Sequence, residues 1–297
     1  MKVCVTGASG YIGEHLSTQF DALGCEVVRV VRTKPDAVSG NFVCISDVYN
    51  REEWAEAYCG VDVVIHCLGL AHGQHSREQH FGINYGVTKV AFDAAISEGV
   101  SLFVYISSLA VSKLETQGNF KQVPGGLPVK SADWYACAKL ASERYIKDSQ
   151  GIEWQIIRPS MVYGRSCPGN LGSLVRWVNK GLPLPMFEGD RSMISIDSLC
   201  SVIGHIVKHG TRNEIYELAE APPISMAQLH QYLEEATGLR IRIVWVPTWL
   251  VRMLATLSRW VRPFKLFDTT IVSPCEDADF SPCFQKDVLI EAMKSHG

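Results

Sequence analysis

Over the first half of the chain, short runs that are apolar along their whole length alternate with longer stretches of helical period. The strands read KVCVTG, EVVRVV, NFVCI, DVVIHCL, LFVYIS and EWQIIRP, and the helices between them run Tyr11–Leu23, Arg51–Tyr58, Gln79–Glu98 and Tyr135–Gln150. A strand with no polar face must be covered on both sides, which a parallel sheet with helices on each face provides. Right-handed crossovers then wind the sheet in two directions from its first strand. This predicts an α/β domain over residues 1–165. Residues 166–297 follow as a smaller α/β domain, where Gly and Pro punctuate RSCPGNLG and KGLPLPMFEGD. It holds short strands near Ser192–Ile196 and Glu214–Leu218, open to returning to the main sheet, and helices from Ser225 and Thr248.

The first strand runs into T-G-A-S-G-Y-I-G, which puts Gly7, Gly10 and Gly13 at a strand-to-helix turn. Missing side chains there allow a tight turn and let main-chain N–H groups approach a pyrophosphate at the helix N-terminus. The spacing G-x-x-G-x-x-G between an apolar strand and an amphipathic helix points to a dinucleotide, and the fold expected is a Rossmann-type doubly wound sheet. The second strand ends in Val31-Arg32-Thr33-Lys34. An acidic residue at this point would hold a ribose 2′-hydroxyl, whereas Arg32 suits a 2′-phosphate, so NADP(H) is favoured over NAD(H). Asp47 and Val48, after the third strand, are expected to flank the adenine.

Composition limits the partners. With 28 Lys+Arg against 31 Asp+Glu, the chain has no excess of positive charge for a nucleic-acid backbone. Ten cysteines are scattered singly without a C-x-x-C pair, and the N-terminus enters a strand at once, so the expected compartment is the reducing cytoplasm. His66, His72, His75 and His80 lack zinc-ligand spacing, and no metal is expected. No apolar run reaches the length of a spanning helix. The stretch Ile243–Phe264, rich in Trp and Leu, carries Arg252, Arg259 and Arg262, and reads first as a packed helix or subunit contact and second as a peripheral membrane contact.

Three elements in chain order carry the chemistry: Ser107-Ser108 at the end of LFVYIS, then Tyr135, then Lys139 in Y-A-C-A-K. Tyr135 and Lys139, four apart, share a helix face, where an ammonium is expected to draw the phenol down from its reference pKa of about 10. The tyrosine then serves as acid or base while a serine hydroxyl hydrogen-bonds the same substrate oxygen.

These motifs resemble the extended short-chain dehydrogenase/reductases, the NAD-dependent epimerase/dehydratase group, over nearly the whole chain. TGASGYIG is similar to the family's cofactor loop, which implies contacts from Ser9, Tyr11 and Ile12 beside the glycines. YISSLAV is similar to its serine strand, with Ser108 the catalytic serine and Ser107 beside the cofactor. Tyr135 and Lys139 match its Y-x-x-x-K pair, and Asn84 in GINYGVTKVAFDAA its helix Asn. Leu68, in C-L-G after His66, and Pro159, in IIRPSMVYG with Arg158 and Tyr163, are implied cofactor neighbours. The stretch from Val162 to Leu199 resembles bacterial UDP-4-keto-sugar reductases of N-acetylquinovosamine synthesis. That implies reduction of a UDP-2-acetamido-2,6-dideoxy-4-hexulose for surface polysaccharide (lipopolysaccharide or O-antigen), with Asn170 and Arg191 toward the UDP phosphates and His72 near the sugar. The family's usual homodimer is implied with it. The alternatives are a UDP-hexose 4-epimerase with tightly bound NAD and, in another class, a non-catalytic dinucleotide sensor. A dehydratase is disfavoured because Leu109-Ala110 offers no carboxylate pair.

Overall fold

A computed structural model describes residues 1–34, 40–71, 73, 75–116, 122–123, 127–128, 133–187, 189–247 and 282–296. Two compact units divide the chain: residues 1–159 with 200–216, and residues 160–199 with 217–297. The helix Ile196–His209 begins in the second unit and ends in the first.

The main sheet has seven strands, β1 (Lys2–Thr6), β2 (Glu26–Val31), β3 (Asn41–Cys44), β4 (Val63–His66), β5 (Leu102–Ile106), β6 (Glu153–Pro159) and β7 (Glu214–Leu218), all in the first unit except the last two residues of β7. Their order is β7-β6-β5-β4-β1-β2-β3. The pairs from β3 across to β6 are parallel, with Val5 opposite both Arg29 and Ile65, and Val104 opposite both Ile65 and Gln155. Every residue of β4 and β5 is buried, as the apolar runs VVI and LFVYI require, and the burial extends to His66. Trp54, Val64, Phe92 and Phe103 form the core on one face, where Phe92 and Phe103 meet edge-to-face with centroids 4.9 Å apart. Truncating so buried a phenylalanine to alanine costs about 3–5 kcal/mol. The chain moves outward from β1 to β3 and then returns to place β4 on the other side of β1. The switch point therefore lies between the carboxyl ends of β1 and β4, where doubly wound sheets bind ligands.

The helices are α1 (Tyr11–Ala22), α2 (Arg51–Tyr58), α3 (Thr88–Ser97), α4 (Ala110–Thr116) and α5 (Trp134–Asp148). Asn50 caps α2 by accepting from the Glu52 N–H at 3.0 Å, and Asp133 caps α5 by accepting from the Ala136 N–H at 3.0 Å. The segment read as one helix from Gln79 to Glu98 is an α turn at Arg77–His80, a π-helix at Phe81–Val87 and then α3. In the second unit, the strand expected near Ser192 spans Met193–Ser195 and pairs in parallel with Met161–Tyr163, outside the main sheet. Its core gathers Leu174, Leu184, Leu229, Leu233 and Met293. The helix expected from Thr248 lies outside the described residues, as does most of Ile243–Phe264; Ile243–Trp245 form a short exposed strand. Among the described residues no helix is long and apolar enough to cross a membrane.

Candidate active site

The turn after β1 needs glycine at two positions, Gly7 and Gly13. Gly7 takes φ +65°, and a Cβ there would stand 3.0 Å from the main chain of Leu68 in the loop after β4. A Cβ on Gly13 would lie 2.3 Å from the Gly7 carbonyl oxygen, so α1 can approach the turn only with a bare backbone. Gly10 closes the turn by donating to the Gly7 carbonyl at 2.9 Å and caps α1 without any side-chain acceptor. The N–H groups of Tyr11, Ile12 and Gly13 thus open the helix beside the switch point, with Ser9 exposed just before them. This cradle fits a dinucleotide pyrophosphate, and Gly7, Ser9, Gly10, Tyr11, Ile12 and Gly13 would hold it through their main chain.

Other expected cofactor residues follow the carboxyl ends of neighbouring strands. Arg32 is exposed directly after β2. After β3, Asp47 is exposed and accepts from the Tyr49 N–H at 2.9 Å, and Val48 is half-buried. After β4, the Leu68 N–H faces the Thr6 hydroxyl at 3.4 Å. His66, at the end of β4, is wholly buried, with Thr6 Oγ1 at 2.9 Å from Nδ1 and Thr88 Oγ1 at 3.2 Å from Nε2, and burial pulls its pKa to about 3. It is a neutral strut between strand and helix.

Asn84 joins this edge to α5. Its side-chain amide accepts from the Leu70 N–H at 2.7 Å and donates to the Leu70 carbonyl at 3.2 Å. It lies in the π-helix, and its carbonyl accepts the Ser142 hydroxyl at 2.6 Å and the Thr88 hydroxyl at 2.9 Å. A Cβ on Gly69 would come within 2.7 Å of Asn84 Oδ1 and 3.4 Å of Lys139 Nζ, so the loop after β4 also needs a glycine to pass.

Ser107 and Ser108 leave the end of β5, while Tyr135 and Lys139 come from the first turns of α5. Tyr135 and Ser108 share a hydrogen bond. Burial nevertheless pushes the Tyr135 phenol up to about 12; the bond with Ser108 opposes the shift and the charge of Asp133 adds to it. The expectation that Lys139 would lower this phenol is therefore corrected. Its Nζ instead donates to the Ile106 carbonyl at 2.7 Å, and burial pulls the ammonium's own pKa to about 8, against the charges of Cys67 and Glu143. The His80 and Tyr135 rings meet edge-to-face with centroids 6.1 Å apart.

Ser107 does not point to open space: its hydroxyl donates to the buried Glu143 carboxylate. Glu143 was not singled out from the sequence, although its place one turn after Lys139 on the same helix was a usable signal. Pro159 closes β6, and its carbonyl accepts the Leu109 N–H at 3.0 Å. The first unit thus gathers Ser108, Tyr135, Lys139 and Asn84. Of the substrate residues, Asn170 begins a helix of the second unit and Arg191, half-buried, ends a two-residue strand there that pairs with Ile224 and Ser225. His72 lies outside the described residues.

A glycine cradle at the switch point of a doubly wound parallel sheet is the architecture of a Rossmann-type, nicotinamide-dependent enzyme. Residues 3–219 match the NAD dependent epimerase/dehydratase family, and the chain belongs to that family. It is 26% identical over 276 residues to a UDP-glucose 4-epimerase of Vibrio cholerae, covering 86% of this chain and 82% of that one. It is 24% identical over 274 residues to 4-hydroxy-2-methyl-3-oxo-4-farnesyl-3,4-dihydroquinoline-1-oxide ketoreductase of Stigmatella aurantiaca, covering 87% and 80%. Among solved structures, MoeE5 in complex with UDP-glucuronic acid and NAD superposes with a TM-score of 0.74 over 99% of this chain and 98% of the other, at 19% identity.

Proposed function

We propose that this enzyme is a one-way reductase of a nucleotide-linked 4-keto sugar of the UDP-2-acetamido-2,6-dideoxy-4-hexulose type, serving surface-polysaccharide synthesis and preferring NADPH to NADH. Arg32 carries the choice of reductant: it stands exposed after β2, a cation where an acidic side chain would favour the free ribose of NAD. The UDP sugars handled by the Vibrio cholerae relative and by MoeE5 support the substrate class. Bound nicotinamide supplies the hydride. The chain's own groups handle the oxygen: Ser108 polarises the carbonyl, and Tyr135, whose proton stays on the phenol at neutral pH, delivers it to the developing alkoxide. Lys139, its ammonium turned to the Ile106 carbonyl, holds the cofactor ribose and completes the catalytic set. Arg32, Asp47, Val48, Leu68, Asn84, Ser107 and Pro159 complete the cofactor site, while His72, Asn170 and Arg191 meet the substrate. The same proposal places a homodimer in a reducing cytoplasm.

One observation favours a second function, a UDP-hexose 4-epimerase: the Vibrio cholerae relative carries that activity. The two separate in one assay. The purified chain is mixed with NADPH or NADH and a UDP-4-keto-6-deoxy-N-acetylhexosamine, and the loss of reduced-nicotinamide absorbance is followed. Oxidation of NADPH stoichiometric with sugar supports the reductase. No oxidation, with NAD released only on denaturation and UDP-glucose interconverted with UDP-galactose, establishes the epimerase instead. A chain that binds NADH and acts on neither sugar overturns both substrate assignments.

A further inference from the structure

A buried ion pair lies beneath the serine turn, and none of the steps above uses it. Arg158 on β6 and Glu143 on α5 are both almost wholly enclosed. Arg158 Nη2 donates to Glu143 Oε2 at 2.6 Å and Nε donates to Oε1 at 3.1 Å, a two-point grip. The far side of the guanidinium reaches α4, where Nη1 donates to the Ser112 hydroxyl at 3.1 Å and stands 2.8 Å from Glu115 Oε2. Burial alone would lower the guanidinium's pKa, and these two carboxylates more than reverse it. One arginine thereby ties β6, α5 and α4 together.

The pair ends on the serine turn. Glu143 also accepts the Ser107 hydroxyl, and the residue before it, Ile106, gives its carbonyl to Lys139. Two consecutive residues at the end of β5 are thus gripped by two side chains one turn apart on α5. The Ser107 N–H donates to the Ile157 carbonyl at 2.7 Å, so the turn is also braced by the strand that carries Arg158. A buried ion pair is poor value as a source of stability, since packed apolar residues of equal volume often do as well or better. Its use here is directional: a carboxylate held by two guanidinium nitrogens can accept the Ser107 hydroxyl only from a fixed direction.

We propose that Glu143 and Arg158 are positioning residues for the reaction, acting through Ser107 to fix where the Ser108 hydroxyl stands relative to Tyr135 and Lys139. The proposal rests on the acid–base roles given above to those three residues. Glu143 has a second effect, through its charge on Lys139. The groups facing that ammonium are Glu143 on α5, Tyr105 on β5, whose ring centroid is 4.6 Å from Nζ, and His66 and Cys67 at the end of β4. Cys67 and then Glu143 oppose the pull of burial on Lys139, and since burial holds His66 neutral and pushes the Cys67 thiol up to about 12, the charge that Glu143→Gln removes is one that favours the ammonium.

The test compares Ser107→Ala, Glu143→Gln, Glu143→Asp and Arg158→Lys in the full chain, measuring kcat, KM and the pH profile on whichever of the two sugar reactions the wild type performs, with NADH affinity from fluorescence titration. Glu143→Gln is expected to lower kcat about tenfold or more while KM and the NADH Kd stay within about twofold, because a misplaced hydroxyl weakens the transition state more than binding. Its alkaline limb moves to lower pH. Ser107→Ala lowers kcat without moving that limb, and Glu143→Asp restores the limb but only part of kcat. Should Glu143→Gln fail to fold, Ser107→Ala and Arg158→Lys decide, and wild-type kcat in both overturns the proposal. A wild type inactive on both sugars, or a Tyr135→Phe chain with full rate, overturns the acid–base roles and the positioning proposal with them. An active wild type and an inactive Tyr135→Phe, beside a Glu143→Gln chain with unchanged kcat and limb, overturn the positioning proposal alone.

Discussion

Lys139 donates through Nζ to the carbonyl of Ile106 at 2.7 Å, and its side chain is almost wholly enclosed. Burial pulls its pKa to about 8, from an unfolded value of roughly 10.4. Between those values the unfolded chain binds more protons than the folded one, so stability rises with pH across that window. Below about pH 8 both states are charged and the folded state bears the full penalty. Lys139→Met is therefore expected to melt higher than the wild type at pH 7 and to lose activity. The Tm advantage should shrink as pH climbs through the window, as calorimetry across that range would show. A gap independent of pH would contradict the depressed ammonium.

Replacing Tyr135 by Phe removes the proton donor and leaves the ring. The rate is expected to fall on the order of 10²-fold or more, with NADH affinity nearly intact, as general acid catalysis requires. The phenol sits at about 12, well above the working range, so Tyr135 itself does not set the alkaline limb of the wild-type profile. That limb should fall near the Lys139 value of about 8, which a rate profile measured from pH 6 to 10 would locate.

How much of this was legible in the sequence depends on range. The strands β1, β4 and β5 could be read because burial on both faces leaves their interiors apolar, and the glycine cradle because Gly7 and Gly13 stand where a side chain would meet main chain. The π-helix at Phe81–Val87 was not, since apolar periodicity over Gln79–Glu98 fits an uninterrupted helix equally well. The direction of the Tyr135 shift was missed for another reason. Spacing puts Lys139 on the same face but cannot say that its ammonium turns to Ile106, or how deeply the phenol is buried. Glu143 and Arg158, fifteen residues apart on different elements, become partners only once α5 packs on β6.

Gly13→Ala tests the cradle. The added Cβ would sit 2.3 Å from the Gly7 carbonyl oxygen and 2.9 Å from its carbon, and both obstacles are main chain that cannot swing aside. Either α1 retreats or the turn opens, and in both cases the first-turn N–H groups move away from the pyrophosphate position. Urea denaturation is expected to show a loss of about 1–3 kcal/mol, as for other overpacked sites, and NADH titration a weakened Kd. Wild-type NADH affinity in a folded Gly13→Ala chain would remove this loop from the cofactor site.

Within the second unit, the buried Glu220 collects three donors: the Tyr163 hydroxyl on Oε2, and the Ser195 N–H at 3.1 Å and hydroxyl at 2.7 Å on Oε1. Glu220→Leu strands all of them, and buried donors without acceptors cost about 1–3 kcal/mol each. Its destabilisation in urea should exceed that of Tyr163→Phe, which removes a single donor and leaves Glu220 with Ser195. Equal losses would mean that the Tyr163 bond alone carries the link.

Arg32 offers the sharpest test of the cofactor. It is exposed after β2, so its replacement disturbs no packing and any change in kinetics reports on the ligand. A guanidinium pairs with a 2′-phosphate by charge-assisted hydrogen bonds, whereas a carboxylate there repels the phosphate and accepts from a free 2′-hydroxyl. Arg32→Asp is expected to reverse the preference, lowering kcat/KM for NADPH on the order of tenfold or more while NADH is used as well as before or better. The two ratios, measured side by side with one sugar substrate, decide it. If the wild type already favours NADH and the substitution leaves that ratio unmoved, Arg32 is a solvated strand end and the NADPH assignment falls, while the chemistry assigned to Tyr135 stands.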